Sequence, residues 1–344
     1  MMKILTPLIL VAALAAAAYV GSSRFGLTNL FGIYLPYTAF VVFTLGFVWR
    51  ILDWAKSPVP FRIPTTAGQQ KSLPWIKNNE LEAPSSWVGV AGRMFLEIFF
   101  FRSLWRNSRA FMAPGPRLTY ISDQVLWLFG MIFHWSFALV FLRHYRFFVD
   151  PVPGFVTLIE GVDGFFEIVW HNQVHNITLP GLYVTDLLLL AGVTGLFLKR
   201  VLEGRMRLLS LPQDYFPLYL ILAIALTGIN MRYLNKVDVV AVKNLMQSLI
   251  SLRPDPSLVV APIFYVHLFL VSALALYFPF SKLMHAGGIW MSPTRNLANN
   301  SRAKRHLNPW NPVIKIRTYK EYEADFKDKM ASVDLPLETE TEKD

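Results

Sequence analysis

Long apolar stretches alternate with short basic or proline-rich ones along this chain, and six of the apolar stretches reach the length of a membrane span. They cover residues 4–20, 31–52, about 121–145, 181–198, 215–234 and 258–285. An α-helix rises about 1.5 Å per residue, so roughly 20 apolar residues cross the hydrocarbon core. A backbone in lipid must satisfy its own hydrogen bonds, so the expected fold is an all-α, polytopic transmembrane bundle of about six helices. Residues 1–52 would carry two N-terminal spans, 53–120 a cytoplasmic loop, 121–285 the helical core and 286–344 a cytoplasmic tail. The first span follows a lone Lys3 and contains the run Ala15-Ala16-Ala17-Ala18. A retained helix is favoured there over a cleaved signal, because no polar stretch separates it from the second span.

Between the second and third spans, Pro58, Pro60, Pro64, Pro74 and Pro84 block long helices up to about Ser86. From 88 to 109 the pattern turns amphipathic. Phe95, Ile98, Phe99, Phe100, Phe101, Leu104 and Trp105 alternate with Arg93, Glu97, Arg102, Arg106 and Arg109, which predicts an interfacial helix lying on lipid. The acidic residues 335–344 read as a disordered end.

Charge placement gives the orientation. Segment 53–120 holds nine Lys and Arg, 199–214 holds four and the region after Phe280 holds eleven; with Lys3 and Arg50, 26 of 33 fall on one side. By the positive-inside rule both termini and the 53–120 loop are cytoplasmic, in the inner (cytoplasmic) membrane. Only 16% of the residues are charged, well under the usual quarter, while 54% are hydrophobic. The net charge of +10 therefore sets topology, and no basic face with interleaved aromatics suggests nucleic acid. The chain has no cysteine, which excludes disulfides, thiolate-held iron–sulfur clusters, a cysteine nucleophile and covalently attached haem. Any iron–sulfur chemistry must lie on a partner.

Four histidines stand on the third and sixth spans, where an imidazole is costly unless something uses it. His134 and His144 lie on one, His267 and His285 on the other. With the two helices antiparallel, matched depth pairs His144 with His267 and His134 with His285. Each pair suits one iron between two imidazoles, hence two non-covalent b-type haems. On straight helices, 267 and 285 point the same way, whereas 134 and 144 diverge by about 80°. The axial spacings, about 27 and 15 Å, also differ, so the geometry is compatible with two haems without requiring them.

Arg143 and Arg146 are candidate partners for haem propionates on the outer side, and equally candidates for snorkelling at the interface. His171 and His175, four apart, would share a helix face near Asp163 and Glu167; a polar outer-loop helix is the simpler account. His306 reads as solvated. The rival function is a non-redox, proton-coupled transporter using the same histidines as a relay. The greasy spans carry few internal carboxylates besides Asp186, which disfavours that rival.

Two histidines ten apart on one span and two eighteen apart on a later one resemble the nitrate reductase gamma subunit, a dihaem cytochrome b, over roughly residues 121–290. This chain adds an N-terminal span and a cytoplasmic insertion to that five-helix pattern. The stretch Pro60-Phe61-Arg62-Ile63-Pro64-Thr65-Thr66-Ala67-Gly68-Gln69-Gln70-Lys71-Ser72-Leu73-Pro74-Trp75 resembles the DsrM-type cytochrome b subunit of Dsr membrane complexes. So do His285-Ala286-Gly287-Gly288 and Ser292-Pro293-Thr294-Arg295-Asn296. That resemblance implies a redox subunit of a quinone-linked respiratory oxidoreductase associated with dissimilatory sulfite reduction, with menaquinone as the expected quinone. It further implies four partners: a cytoplasmic iron–sulfur protein related to heterodisulfide reductase, a multihaem cytochrome c, a periplasmic iron–sulfur protein and a second membrane subunit.

Overall fold

The computed structural model describes residues 2–56, 79–115, 117–165, 168–171, 176–179, 182–291, 293–298 and 316–338. The chain opens with α1 (Met2–Arg24) and, after a π turn at Leu30–Tyr34, α2 (Leu35–Ala55). Then come α3 (Trp87–Phe99), α4 (Arg102–Trp105) and an antiparallel hairpin of β1 (Ser108–Ala113) and β2 (Arg117–Ser122), with Ser108 opposite Ser122. The helix α5 (Gln124–Arg143) ends in a 3-10 turn, His144–Phe147, and α6 (Gly154–Asp163) follows. Two small antiparallel pairs come next: β3 (Gly164–Phe165) with β6 (Leu182–Tyr183), and β4 (Ile168–His171) with β5 (Asn176–Leu179). The remainder is α7 (Val184–Leu202), α8 (Gly204–Leu209), α9 (Pro212–Ile229), α10 (Val239–Ile250), α11 (Pro262–Tyr277), α12 (His285–Met291), α13 (Pro293–Asn296) and α14 (Tyr319–Ala331).

Local chemistry explains the boundaries. Proline stands at the start of α2, α9 and α11, where its missing N–H has no helical partner to lose. Ser86 and Asp238 cap α3 and α10 by accepting from backbone N–H groups of the first turn. Thr318 and Glu321 form a capping box on α14, a tail helix the apolar pattern did not predict.

The result is an all-α bundle with small hairpins at its edges. Among the described residues, five helices are long and apolar enough to cross a membrane: Met2–Arg24, Leu30–Ala55, Gln124–Phe147, Pro212–Leu234 and Pro262–Phe280. The expected fourth span is α7, whose charged Asp186, Lys199 and Arg200 set it apart from those five. It nevertheless joins the bundle, packing against α5 and α9, while α1 and α2 flank α11. Tyr215, Leu220, Leu245, Tyr265 and Leu270 form the middle of the core.

The α5–α7 pair is the firmest seam. A Cβ on Gly192 would lie 2.8 Å from the Phe133 backbone, and one on Gly195 would run into the Phe129 ring, so these glycines permit close approach. The antiparallel helices are also stapled at both ends. Lys199 of α7 pairs at 2.8 Å with Asp123, just before α5, and Arg143 of α5 pairs at 2.6 Å with Asp186 of α7. Beyond α7, the hydrogen bond from Lys199 holds the Glu203 carboxyl below its usual range. That stabilisation is present above the ordinary carboxylate pKa and fades as pH falls through the depressed value.

Three expectations are corrected. Residues 88–109 are not one interfacial helix: α3 stops at Phe99, Phe101 adopts a left-handed backbone (φ 49°), and a strand begins at Ser108. Three consecutive phenylalanines diverge by about 100° each on a helix, so no single face could bury them all. The segment docks on α5 through Trp127 and Trp135, whose indole N–H groups donate to the Phe100 and Phe99 carbonyls at 2.8 and 3.1 Å. The sixth span does not run straight into His285. It stops at Tyr277, passes through 3-10 turns Phe278–Phe280 and Lys282–Met284, and restarts at His285; Pro279 cannot sustain a continuous α-helical ladder. Finally, His171 lies on a strand instead of a helix, and His175 and His306 lie outside the described residues.

Replacing Gly192 with Ala should loosen the α5–α7 seam by about 1–3 kcal/mol, because the obstacle is backbone. Thermal unfolding in detergent checks this against Gly161→Ala, where nothing lies within 4 Å and no loss is expected.

Candidate functional site

The four histidines converge in two pairs. His134, midway along α5, and His285, at the head of α12, have ring centroids 5.9 Å apart with planes at 84°. His144, opening the turn after α5, faces His267 of α11 at 6.3 Å with planes at 8°. These are the partners that matched depth predicts, reached by a different route. The break after Tyr277 replaces the straight 18-residue separation, and the 3-10 turn at His144 absorbs the angular mismatch on α5.

Each ring is oriented through its Nδ1. That atom lies 2.8 Å from the Gly130 carbonyl in His134, 2.6 Å from the Val140 carbonyl in His144 and 2.8 Å from the Lys282 carbonyl in His285. A carbonyl oxygen only accepts, so Nδ1 carries the proton and Nε2 keeps its lone pair. In His267 the Nδ1 partner is the Thr227 hydroxyl at 2.9 Å. Three of the rings thus have a backbone carbonyl behind Nδ1, an arrangement that metal-binding imidazoles also use.

The separations also suit a metal. A bond of about 2 Å to each Nε2, plus about 1.1 Å from nitrogen to ring centroid, puts two centroids about 6.2 Å apart. Each histidine pair offers two imidazole donors, the number that the iron of a planar macrocycle leaves open, and among the described residues no group of three or more His, Cys, Asp or Glu could hold an ion. The α5 helix packs on α7, and α5 with α11 is not among the closely packed pairs of the described residues.

Aromatic and small residues line both places. The Phe101 and Phe133 rings stand edge-on to His134 at 5.0 and 4.9 Å, and Phe147 lies 5.9 Å from His144. A Cβ on Gly228 would sit 3.3 Å from His267. Beside His285 opens a cleft of about 470 Å³, lined in part by Arg50, Trp54, Gln213, Tyr277 and Lys282. Arg50 there has a buried Nε with no hydrogen-bond partner.

Next to His144 in the chain, Arg143 is buried in a polar network. Its guanidinium reaches Asp186 at 2.6 Å, the Thr185 hydroxyl at 3.0 Å and Asp163 at 3.3 Å. Asp163 accepts from both the Thr185 hydroxyl and its backbone N–H, and the Tyr233 hydroxyl donates to Asp186 at 2.9 Å. The Tyr183 ring lies between two guanidiniums, Arg143 at 3.8 Å and Arg232 at 3.9 Å. Arg146 pairs with Glu160 at 2.5 Å. Both arginines nominated from sequence are therefore ion-paired within the chain, and Asp163 is tied to Arg143.

Sequence reasoning missed Phe101, Thr227, Gly228 and Arg50. Each lies far from the histidine it approaches in the chain, and none belongs to a recognisable motif. The proximity of Thr227 to Gly228 at the end of an apolar run was the one readable signal.

Comparison with known proteins gives the family. Residues 94–305 match the nitrate reductase gamma subunit family, and all four histidines fall inside that stretch. The chain belongs to the nitrate reductase gamma subunit family. It is a multi-pass membrane protein, and α1 and α2 precede the matched region. It is 47% identical over 83% of its length to the Hdr-like menaquinol oxidoreductase cytochrome b-like subunit of Archaeoglobus fulgidus, covering 84% of that protein. A protein of the same name from Archaeoglobus profundus is 36% identical over 81% of this chain and 82% of its own.

Substituting Arg143 with Leu would leave Asp163 and Asp186 facing each other without a cation. A loss of about 3–5 kcal/mol is expected, read as a lowered unfolding temperature of the detergent-solubilised protein. An unchanged transition would mean the network contributes nothing to the fold.

Proposed function

We propose that this chain is a dihaem membrane cytochrome b exchanging electrons between the menaquinone pool and a cytoplasmic iron–sulfur partner. The observation that carries the reading is the pair of imidazole couples at 5.9 and 6.3 Å, each ring fixed through Nδ1. Two haem b groups, bis-histidine ligated, would supply one-electron transfer across the membrane. His134 with His285 would hold the inner one and His144 with His267 the outer one. The names of the Archaeoglobus relatives support menaquinol as the quinone and an Hdr-like complex as the setting.

The chain's own residues orient, bury and neutralise. The Nδ1 contacts keep each imidazole aimed, and the phenylalanines pack around His134. Arg50, lining the cleft beside His285 with its buried Nε unpartnered, would provide positive charge for carboxylates on the inner side, whereas Lys282 is paired with Asp214 at 2.6 Å. On the outer side Arg146 is the more available of the two expected propionate partners. Arg143, held by two carboxylates, braces the turn that carries His144. The cysteine-free sequence requires the iron–sulfur centre to sit on another subunit. The loop and tail motifs like those of Dsr cytochrome b subunits extend the proposal to a complex of dissimilatory sulfur metabolism. Its further members would be a multihaem cytochrome c, a periplasmic iron–sulfur protein and a second membrane subunit. Positive-inside charge places both termini in the cytoplasm.

A proton relay would need imidazoles that release and rebind protons. Three of these rings instead commit Nδ1 to a backbone carbonyl. That favours the cytochrome over a transporter.

The ring planes make the reading testable. Crossed axial imidazoles give a strongly anisotropic low-spin ferric signal in electron paramagnetic resonance, whereas parallel ones give an ordinary rhombic signal. The intact protein should show both. His285→Ala should remove the anisotropic component alone, and His267→Ala the rhombic component alone. Unchanged spectra in both variants would defeat the ligand assignment.

A further inference from the structure

Three of the four imidazoles lean on backbone carbonyls of their own local chain, at Gly130, Val140 and Lys282. His267 differs: its Nδ1 meets a side chain from another helix, the Thr227 hydroxyl of α9. That hydroxyl has one proton, and its oxygen also lies 2.9 Å from the Ala223 carbonyl and 3.0 Å from the Ile224 carbonyl, one turn back along α9. When the hydroxyl proton goes to one of these carbonyls, the usual back-bond of a threonine inside a helix, the Thr227 oxygen accepts from Nδ1–H of His267. The single hydroxyl thereby fixes the tautomer and bridges α9 to α11.

The position is built for this contact. The next residue is Gly228, where even a Cβ would come within 3.3 Å of the imidazole, and the α-helix gives way to a π turn two residues later. The other three acceptors are main-chain atoms, which no substitution removes. Among these four contacts, only this one is encoded by a side chain.

We infer that Thr227 is a positioning residue for the outer metal-binding pair, setting the tautomer and the basicity of His267 and so the reduction potential of the group held there. This rests on the dihaem reading above. An acceptor behind Nδ1–H makes the imidazole a stronger donor through Nε2, which favours the ferric state and lowers the potential. Removing the acceptor raises the potential at that site and leaves the His134–His285 site alone.

The test is an optical redox titration of the full-length, membrane-extracted protein, paired with its paramagnetic resonance spectrum, for wild type, Thr227→Val and Thr227→Ser. In Thr227→Val the outer component, the one with parallel ligand planes, should shift to higher potential or be lost, while the inner component is unchanged. Thr227→Ser, which keeps the hydroxyl, should restore the wild-type value. The imidazole also lies against the Ile224 carbonyl. If that group carries the N–H instead, Thr227→Val will titrate like wild type and the inference fails. It fails equally if both components move together or if Ser behaves as Val. A wild-type protein with no b-type haem would instead defeat the underlying functional reading, so the two failures are distinguishable.

Discussion

The hydrogen bond behind each imidazole is the interaction on which the rest of this structure depends. A histidine within an apolar bundle is tolerable when neutral and paired, and it becomes useful when one nitrogen keeps a free lone pair. An acceptor on Nδ1 that cannot donate supplies the pairing and, in the neutral ring, leaves the lone pair on Nε2. For His134 and His144 the acceptor is the carbonyl four residues back, which the helix supplies without any special side chain. For His285 it is the Lys282 carbonyl, exposed because the α-helix has already ended.

The larger architecture serves to present those rings at the right separation. One partner helix, α5, is locked by its seam with α7, closed by glycines at 192 and 195 and by ion pairs at both ends. The other, α11, belongs to the opposite side of the bundle with α1, α2 and α9. The two histidine helices are thus held by different neighbours and meet through their side chains. The segment before α5 closes the end that holds His134 and His285. Phe101 reaches His134, and Glu97 binds Arg295 at 2.9 Å, tying α3 to the chain just beyond His285.

Much of this was legible in the pattern of the chain. Apolar length and basic loops marked the spans, and depth matching alone paired the histidines. The eighteen-residue spacing was read on a straight helix, whereas Pro279 and Ser281 interrupt it. The amphipathic stretch after Ser86 was read as resting on lipid, because sequence cannot show that Trp127 and Trp135 offer it hydrogen bonds from another helix. Thr227 and Arg50 were not assigned to the site for a related reason: their significance comes from tertiary approach to His267 and to the cleft beside His285. Arg143 was noticed, yet its partners Asp163 and Asp186 lie twenty or more residues away and were read as separate features.

The central claim is that the two imidazole pairs hold two non-covalent haems. Haem content per chain, from the reduced-minus-oxidised spectrum and acid–acetone extraction of the purified protein, tests it most directly. The account predicts b-type bands, complete extraction and two haems per chain. A preparation that retains its fold and contains no haem, or a haem that resists extraction, would contradict it.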